Sequence, residues 1–196
     1  MSHPKLKHLF ISKVRVKLLQ IFLTNPGELF YVRQLVRLAN EEINAVRREL
    51  SHMESAGMVA KESRGNRLYY WFHRHYLFYT ELTGMVVKTT GLGKEIITQK
   101  NKLGKISLVS FSGNFARHLP PSSPEEIDVL IIGDVVLPEI TNLIQEEEAK
   151  RKREINYTVM TEQELQTRKS GKDPFLASIF SQSRMMIIGN EEKLIS

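Results

Sequence analysis

From Ser12 onward the apolar positions recur with a helical period. Val14, Leu18, Ile21 and Phe22 share one face, and Asn25-Pro26-Gly27 closes the run. Ser12 stands where an N-cap is needed. A short extended stretch over residues 28–31 precedes a second helical run through Val32, Leu35, Val36 and Ala39. Asn40 is expected to cap a third helix, with Glu41 and Glu42 in its first turn, where the dipole favours carboxylates. Ile43, Val46, Leu50 and Met53 make its buried stripe, and Gly57 stops it. Residues 58–63 and 67–73 then read as strands joined by Arg64-Gly65-Asn66, which predicts a β-hairpin; Tyr69, Tyr70, Trp71 and Phe72 give its second strand a high β propensity. Phe78, Leu82, Met85 and Val86 form a further helical face up to Thr90, Gly91-Leu92-Gly93 interrupts it, and residues 94–103 resume the helix.

Beyond Gly104 the pattern changes to strands alternating with helices. Residues 106–111 are an apolar strand ending in Ser112-Gly113-Asn114, and Pro120, Pro121, Ser122, Ser123 and Pro124 form a loop before a strand over 127–132. A helix is expected over 138–150 and a strand over 155–160. Thr161 and Glu164 form a capping box, Asp173-Pro174 opens another helix, and residues 185–188 are a final strand. Glu146, Glu147 and Glu148, followed by the cationic run 150–153, read as a solvated helix end. No repeat recurs at a fixed period. The expected organisation is one domain over 1–90, a helical linker over 91–104 and a second domain over 105–196.

With 196 residues, 41% of them hydrophobic and 26% charged, the chain is long enough for one ordinary domain or two small ones, and it is neither collagen-like nor disordered. The absence of Cys excludes a disulfide framework, a Cys-ligated zinc and a thiol nucleophile. Cations interrupt the apolar residues from Met1 to Leu23, so no signal peptide is expected and the reading is cytoplasmic. Runs such as Val129 to Ile132 fall far short of the ~18 residues of a membrane span. The net charge of +6 is unevenly placed: residues 1–105 hold 18 basic and 8 acidic side chains, and the remainder hold 10 and 14. That asymmetry points to a polyanion partner for the first half.

Three helices followed by a hairpin, with Asn40-Glu41-Glu42-Ile43-Asn44-Ala45-Val46-Arg47-Arg48-Glu49-Leu50 and then Gly57-Met58-Val59, resemble the winged helix-turn-helix of ArsR-like regulators across roughly Leu9 to Tyr79. Independently, the face opposite the apolar stripe carries Asn44, Arg47, Arg48 and Ser51, able to bond base edges and phosphates in a major groove. Arg47 and Arg48 alternate with Glu49. Arg64 and Arg67 flank the hairpin tip with Lys61 nearby, so a wing could set these cations on the DNA backbone. The aromatic run reads as core and dimer packing. His73 and His75 would point apart on a strand, which argues against a metal there. Duplex DNA is the expected partner, bound by a homodimer because operators are two-fold symmetric.

In the second half, Leu108-Val109-Ser110-Phe111-Ser112-Gly113-Asn114-Phe115-Ala116-Arg117 and Glu125-Glu126-Ile127-Asp128-Val129-Leu130 resemble the superfamily of polymerase beta and the minimal nucleotidyltransferases. The resemblance implies an α/β domain with a small mixed sheet, making the whole chain α+β. It places Gly113 and Asn114 as candidate nucleotide-binding residues and Glu126 and Asp128 as candidate metal ligands. Asn114, His118 and Glu126 depart from the family's Ser, Gly and Asp. The third carboxylate of active relatives is missing from Ile155-Asn156-Tyr157-Thr158-Val159-Met160. Three readings stay open for this half: a Mg²⁺- and nucleoside triphosphate-dependent enzyme modifying a protein or RNA, with the winged helix as docking module; a degenerate domain binding a nucleotide or other effector; and a structural or partner-binding domain.

Overall fold

The computed structural model describes residues 9–195, so residues 1–8 of the N-terminal stretch lie outside the described residues. The chain is α+β with two small sheets, and it divides into units Met1–Val86 and Val87–Ser196.

In the first unit α1 (Lys13–Thr24) opens on Ser12, whose Oγ accepts the Arg15 N–H at 3.1 Å. β1 (Phe30–Tyr31), α2 (Val32–Ala39), α3 (Ile43–Ser55), β2 (Val59–Arg64) and β3 (Arg67–Phe72) follow, and α4 (Tyr79–Thr89) carries the division between units. The strands form an antiparallel sheet in the order β1-β3-β2, with Phe30 opposite Tyr70 and Val59 opposite Phe72. These four join Leu18, Phe22, Leu35, Val46, Leu50 and Met53 in one core. Phe22 meets Phe30 edge-on at 5.7 Å. One local expectation is corrected. Asn40 does not cap α3; at φ 48° it closes α2 in the left-handed region that Asn tolerates. The α3 cap is Glu42, whose Oε2 accepts the N–H groups of Asn44 and Ala45 at 2.7 and 3.0 Å.

In the second unit β4 (Gly104–Ser112), β5 (Val129–Val135), β6 (Tyr157–Met160) and β7 (Arg184–Ile188) form a mixed sheet in the order β6-β5-β4-β7, parallel only between β5 and β6. Its helices are α5 (Gly91–Thr98), α6 (Gly113–Ala116), α7 (Leu137–Arg151), α8 (Glu162–Ser170), α9 (Pro174–Ser181) and α10 (Glu192–Ile195). Successive side chains of a strand face opposite ways. Val109, Phe111, Val129 and Ile131 accordingly pack with Leu92, Ile96, Ile140 and Ile144 of α5 and α7, while Leu108, Leu130 and Ile132 pack with Leu165, Leu176 and Ile179 of α8 and α9. Both faces are covered, which explains the unbroken apolar run of β5. The stretch 91–104, expected as a helical linker, holds α5, and its Leu92, Ile96 and Leu103 are buried in this core. Gly93 is needed there, since a Cβ would collide with the Val87 carbonyl.

β5 starts two residues later than expected. Glu126 N–H bonds the Ser123 carbonyl at 3.1 Å, and the Asn156 amide holds the Pro124 carbonyl at 2.7 Å, so the loop runs on to the strand's edge. Among the described residues no helix is long and apolar enough to cross a membrane.

Candidate functional site

α3 presents Asn44, Arg47, Arg48 and Ser51 to solvent at positions i, i+3, i+4 and i+7, one continuous face. The sequence set Glu49 among these cations. The structure turns it inward, where it is 7% exposed, accepts the Ser12 hydroxyl at 2.7 Å and pairs with the Arg15 guanidinium. The other ion pairs of this unit among the described residues are Lys17–Glu41, Lys61–Glu54 and Arg64–Glu62, so Arg47 and Arg48 stay outside them. The open face of the helix is therefore cationic rather than mixed.

The hairpin cations separate. Lys61 lies opposite Tyr70 on the core-facing side of β2, and its ammonium pairs with Glu54 of α3 at 2.7 Å, which raises its pKa. Arg64 and Arg67 oppose each other at the hairpin end, with Arg64 over the Tyr69 ring at 5.8 Å and Arg67 over the Tyr31 ring at 5.1 Å. The two tyrosines were missed as partners of these arginines. The period-two alternation of β3 holds that signal, since Tyr70 and Phe72 enter the core and Tyr69 and Trp71 face the other way. His73 and His75, expected to diverge, lie past the end of β3, and their rings approach to 5.8 Å.

In the second unit the candidate nucleotide and metal residues do come together, and their polar atoms are bonded to one another and to neighbouring side chains. Gly113 donates its N–H to the Ser183 carbonyl at 2.7 Å, and Ser183 Oγ fills the space a Cβ would take. Asn114 Nδ2 donates to Ser122 Oγ at 2.7 Å and to Glu126 Oε2 at 3.0 Å, and Ser122 N–H donates to the same Glu126 oxygen at 2.5 Å. Burial pushes the Glu126 pKa up, but the hydrogen bonds from Ser122, Ser112 and Asn114 outweigh it and hold the group below the usual carboxylate value. Asp128 takes two hydrogen bonds from Arg153 at 2.9 and 3.0 Å and one from the Asn156 N–H at 3.2 Å. A metal ion approaching Asp128 would have to displace that guanidinium. Among the described residues no group of three or more His, Asp or Glu side chains is placed to hold a metal.

The cationic run at the end of α7 is corrected as well. Lys150 and Lys152 are exposed, but Arg151 turns inward to bond Glu147 at 2.8 Å and the Phe115 carbonyl at 3.0 Å, its guanidinium 3.8 Å above the Phe115 ring. Glu147 is 4% exposed. His118 lies in this field; burial, then Arg151 and Arg153, lower its pKa to about 4. Arg184 reaches Ser110 Oγ at 2.9 Å and the Ile127 carbonyl at 3.2 Å; burial lowers its pKa to about 10 against the pull of Glu126 and Asp128. Arg151, Arg153 and Arg184 were invisible as site residues because the sequence shows charge, not the direction in which a side chain turns. Set against protein families, curated proteins and solved structures, the chain matches none.

Proposed function

We propose that this chain is a DNA-binding transcriptional regulator, working in the cytoplasm as a homodimer, whose first unit is a winged helix-turn-helix that lays α3 in the major groove. The observation that carries this reading is the outward face of α3: Asn44, Arg47, Arg48 and Ser51 are exposed together while Glu49 is drawn to Arg15 and Ser12. The order α1-β1-α2-α3-β2-β3 with sheet order β1-β3-β2 supports it. The second unit is then a nucleotidyltransferase-like domain that serves effector binding or assembly, a role supported by the hold of Arg153 on Asp128 and of Asn114 on Glu126.

Fluorescence anisotropy of duplex DNA at low and moderate salt tests the proposal. Salt-sensitive binding that is lost when Arg47→Ala and Arg48→Ala are combined is the expected result; binding indifferent to that pair would overturn it. Labelled nucleoside triphosphate with Mg²⁺ should give no label transfer. Transfer abolished by Asp128→Asn would replace this reading of the second unit with an enzymatic one.

A further inference from the structure

The outer face of the first unit's sheet carries a second surface, distinct from α3. Register places Tyr31 beside Tyr69, Glu62 on the other side of Tyr69, Ala60 beside Trp71, and Arg64 opposite Arg67. Because Phe30, Tyr70 and Phe72 point into the core, alternation puts Tyr31, Tyr69 and Trp71 together on the opposite face. All three are half-buried, and the strand neighbour of the indole is the small Ala60. Tyr31 and Tyr69 meet at 6.0 Å with their planes 69° apart. Three guanidiniums rim them: Arg67 over Tyr31, Arg64 over Tyr69, and Arg37 of α2 donating to the Tyr31 hydroxyl at 3.0 Å. Glu62 supplies one carboxylate, paired with Arg64.

We infer that this face is a stacking platform for unpaired nucleotides of a single-stranded nucleic acid. A base presents a π-face that stacks on a tyrosine or indole ring or on a guanidinium, and the phosphates between bases seek arginines at the rim. The chemistry selects against two other occupants. A duplex hides its base faces inside the stack and offers nothing to an aromatic platform. A protein helix needs an aliphatic groove, whereas this strand face carries aromatic rings edged with cations. Excess positive charge beside three aromatic rings matches a strand that is anionic at its backbone and planar at its bases. The platform is independent of the α3 reading, because Arg47 and Arg48 lie on α3 and take no part in it.

Trp71 is the only tryptophan in the chain and sits on the platform, so its emission reports occupancy directly. The full chain is titrated with an oligodeoxythymidylate of about 10 nucleotides, a length within the usual single-strand site sizes. Saturable quenching of Trp71 is expected, weakened about 10-fold by Tyr31→Leu and by Arg67→Ala. The exposed Arg67 can be removed without touching the core, so its variant keeps the test sharp if Tyr31→Leu perturbs folding. The variant combining Arg47→Ala and Arg48→Ala should lose duplex binding and keep the quenching, which separates failure of one surface from failure of the other. Unchanged Trp71 emission at saturating oligonucleotide, or platform variants that bind as tightly as the parent chain, would overturn the inference.

Discussion

Arg153 closes on Asp128 through two parallel hydrogen bonds, Nη1 to Oδ2 at 2.9 Å and Nη2 to Oδ1 at 3.0 Å, around a carboxylate whose side chain is 1% exposed. This fork geometry is the strongest form of the ion pair, and it compensates a carboxylate that burial would otherwise penalise heavily. Arg153→Ala removes the compensation and leaves the charge behind. The second unit should lose about 3 kcal/mol in denaturant unfolding. Combining it with Asp128→Asn should recover part of that loss, because the orphaned charge disappears. A single variant within about 0.5 kcal/mol of the parent would contradict the assignment.

Glu49 plays a comparable part in the first unit, where it joins α3 to the first turn of α1 through Ser12 and Arg15. Glu49→Ala should cost about 2 kcal/mol, the worth of charged hydrogen bonds made by a buried carboxylate. Trp71 emission makes the first unit's transition visible on its own. Adding Arg15→Ala should cost less than the sum of the two single changes, since both remove one shared interaction.

Gly93 offers a prediction in which two effects have opposite signs. Glycine inside a helix costs about 1 kcal/mol against alanine, so Gly93→Ala would ordinarily stabilise α5. Here the added Cβ meets the Val87 backbone carbonyl, which cannot swing aside as a side-chain tip could. The steric cost should win, with a net loss of about 2 kcal/mol and a lowered thermal midpoint.

Arg47 and Arg48 are exposed, so replacing either by alanine should change stability by no more than about 0.5 kcal/mol. On duplex DNA each replacement that removes a phosphate contact should flatten the slope of log K against log salt by about 1. A reduction in affinity with an unchanged slope would instead assign that arginine to a base edge.

The elements themselves were legible wherever a periodic apolar face met a local stop signal. Ser12, Thr161 and Asp173 cap helices as their positions predicted, each side chain accepting a backbone N–H of the first turn. Asn40 was misread because the same residue type serves at an N-cap and in a left-handed closing turn, and spacing alone does not choose between them. At the candidate sites the residue types were visible and their directions were not. Glu49 looked like part of a mixed surface and is buried; Arg151 and Arg153 looked like solvated helix-end charge and bond Glu147 and Asp128. For Glu49 and Arg153 the direction is decided by partners distant in sequence. Asp128 precedes Arg153 by 25 positions and Ser12 precedes Glu49 by 37, beyond the reach of any local pattern.

His118 gives the second unit a pH dependence with a defined sign. Burial and the neighbouring Arg151 and Arg153 lower its folded pKa from 6.5 to about 4. Between these values the unfolded chain takes up a proton that the folded chain refuses, so stability is full above about pH 6.5 and falls as the pH drops toward 4. Each tenfold difference in proton affinity between the folded and unfolded chain is worth about 1.4 kcal/mol. His118 is only partly buried, so the loss across this window should be about 2 kcal/mol. Glu126 acts lower: its depressed pKa adds stability that is full above the ordinary carboxylate value and is lost as the pH falls from there through its folded value. His118→Asn separates the two contributions. Asn accepts the left-handed backbone at φ 55° and does not titrate, so the variant should unfold with a flat profile from pH 6.5 down to the ordinary carboxylate range and keep the acid limb below it. A variant whose stability still declines through that window would show that another group carries the dependence.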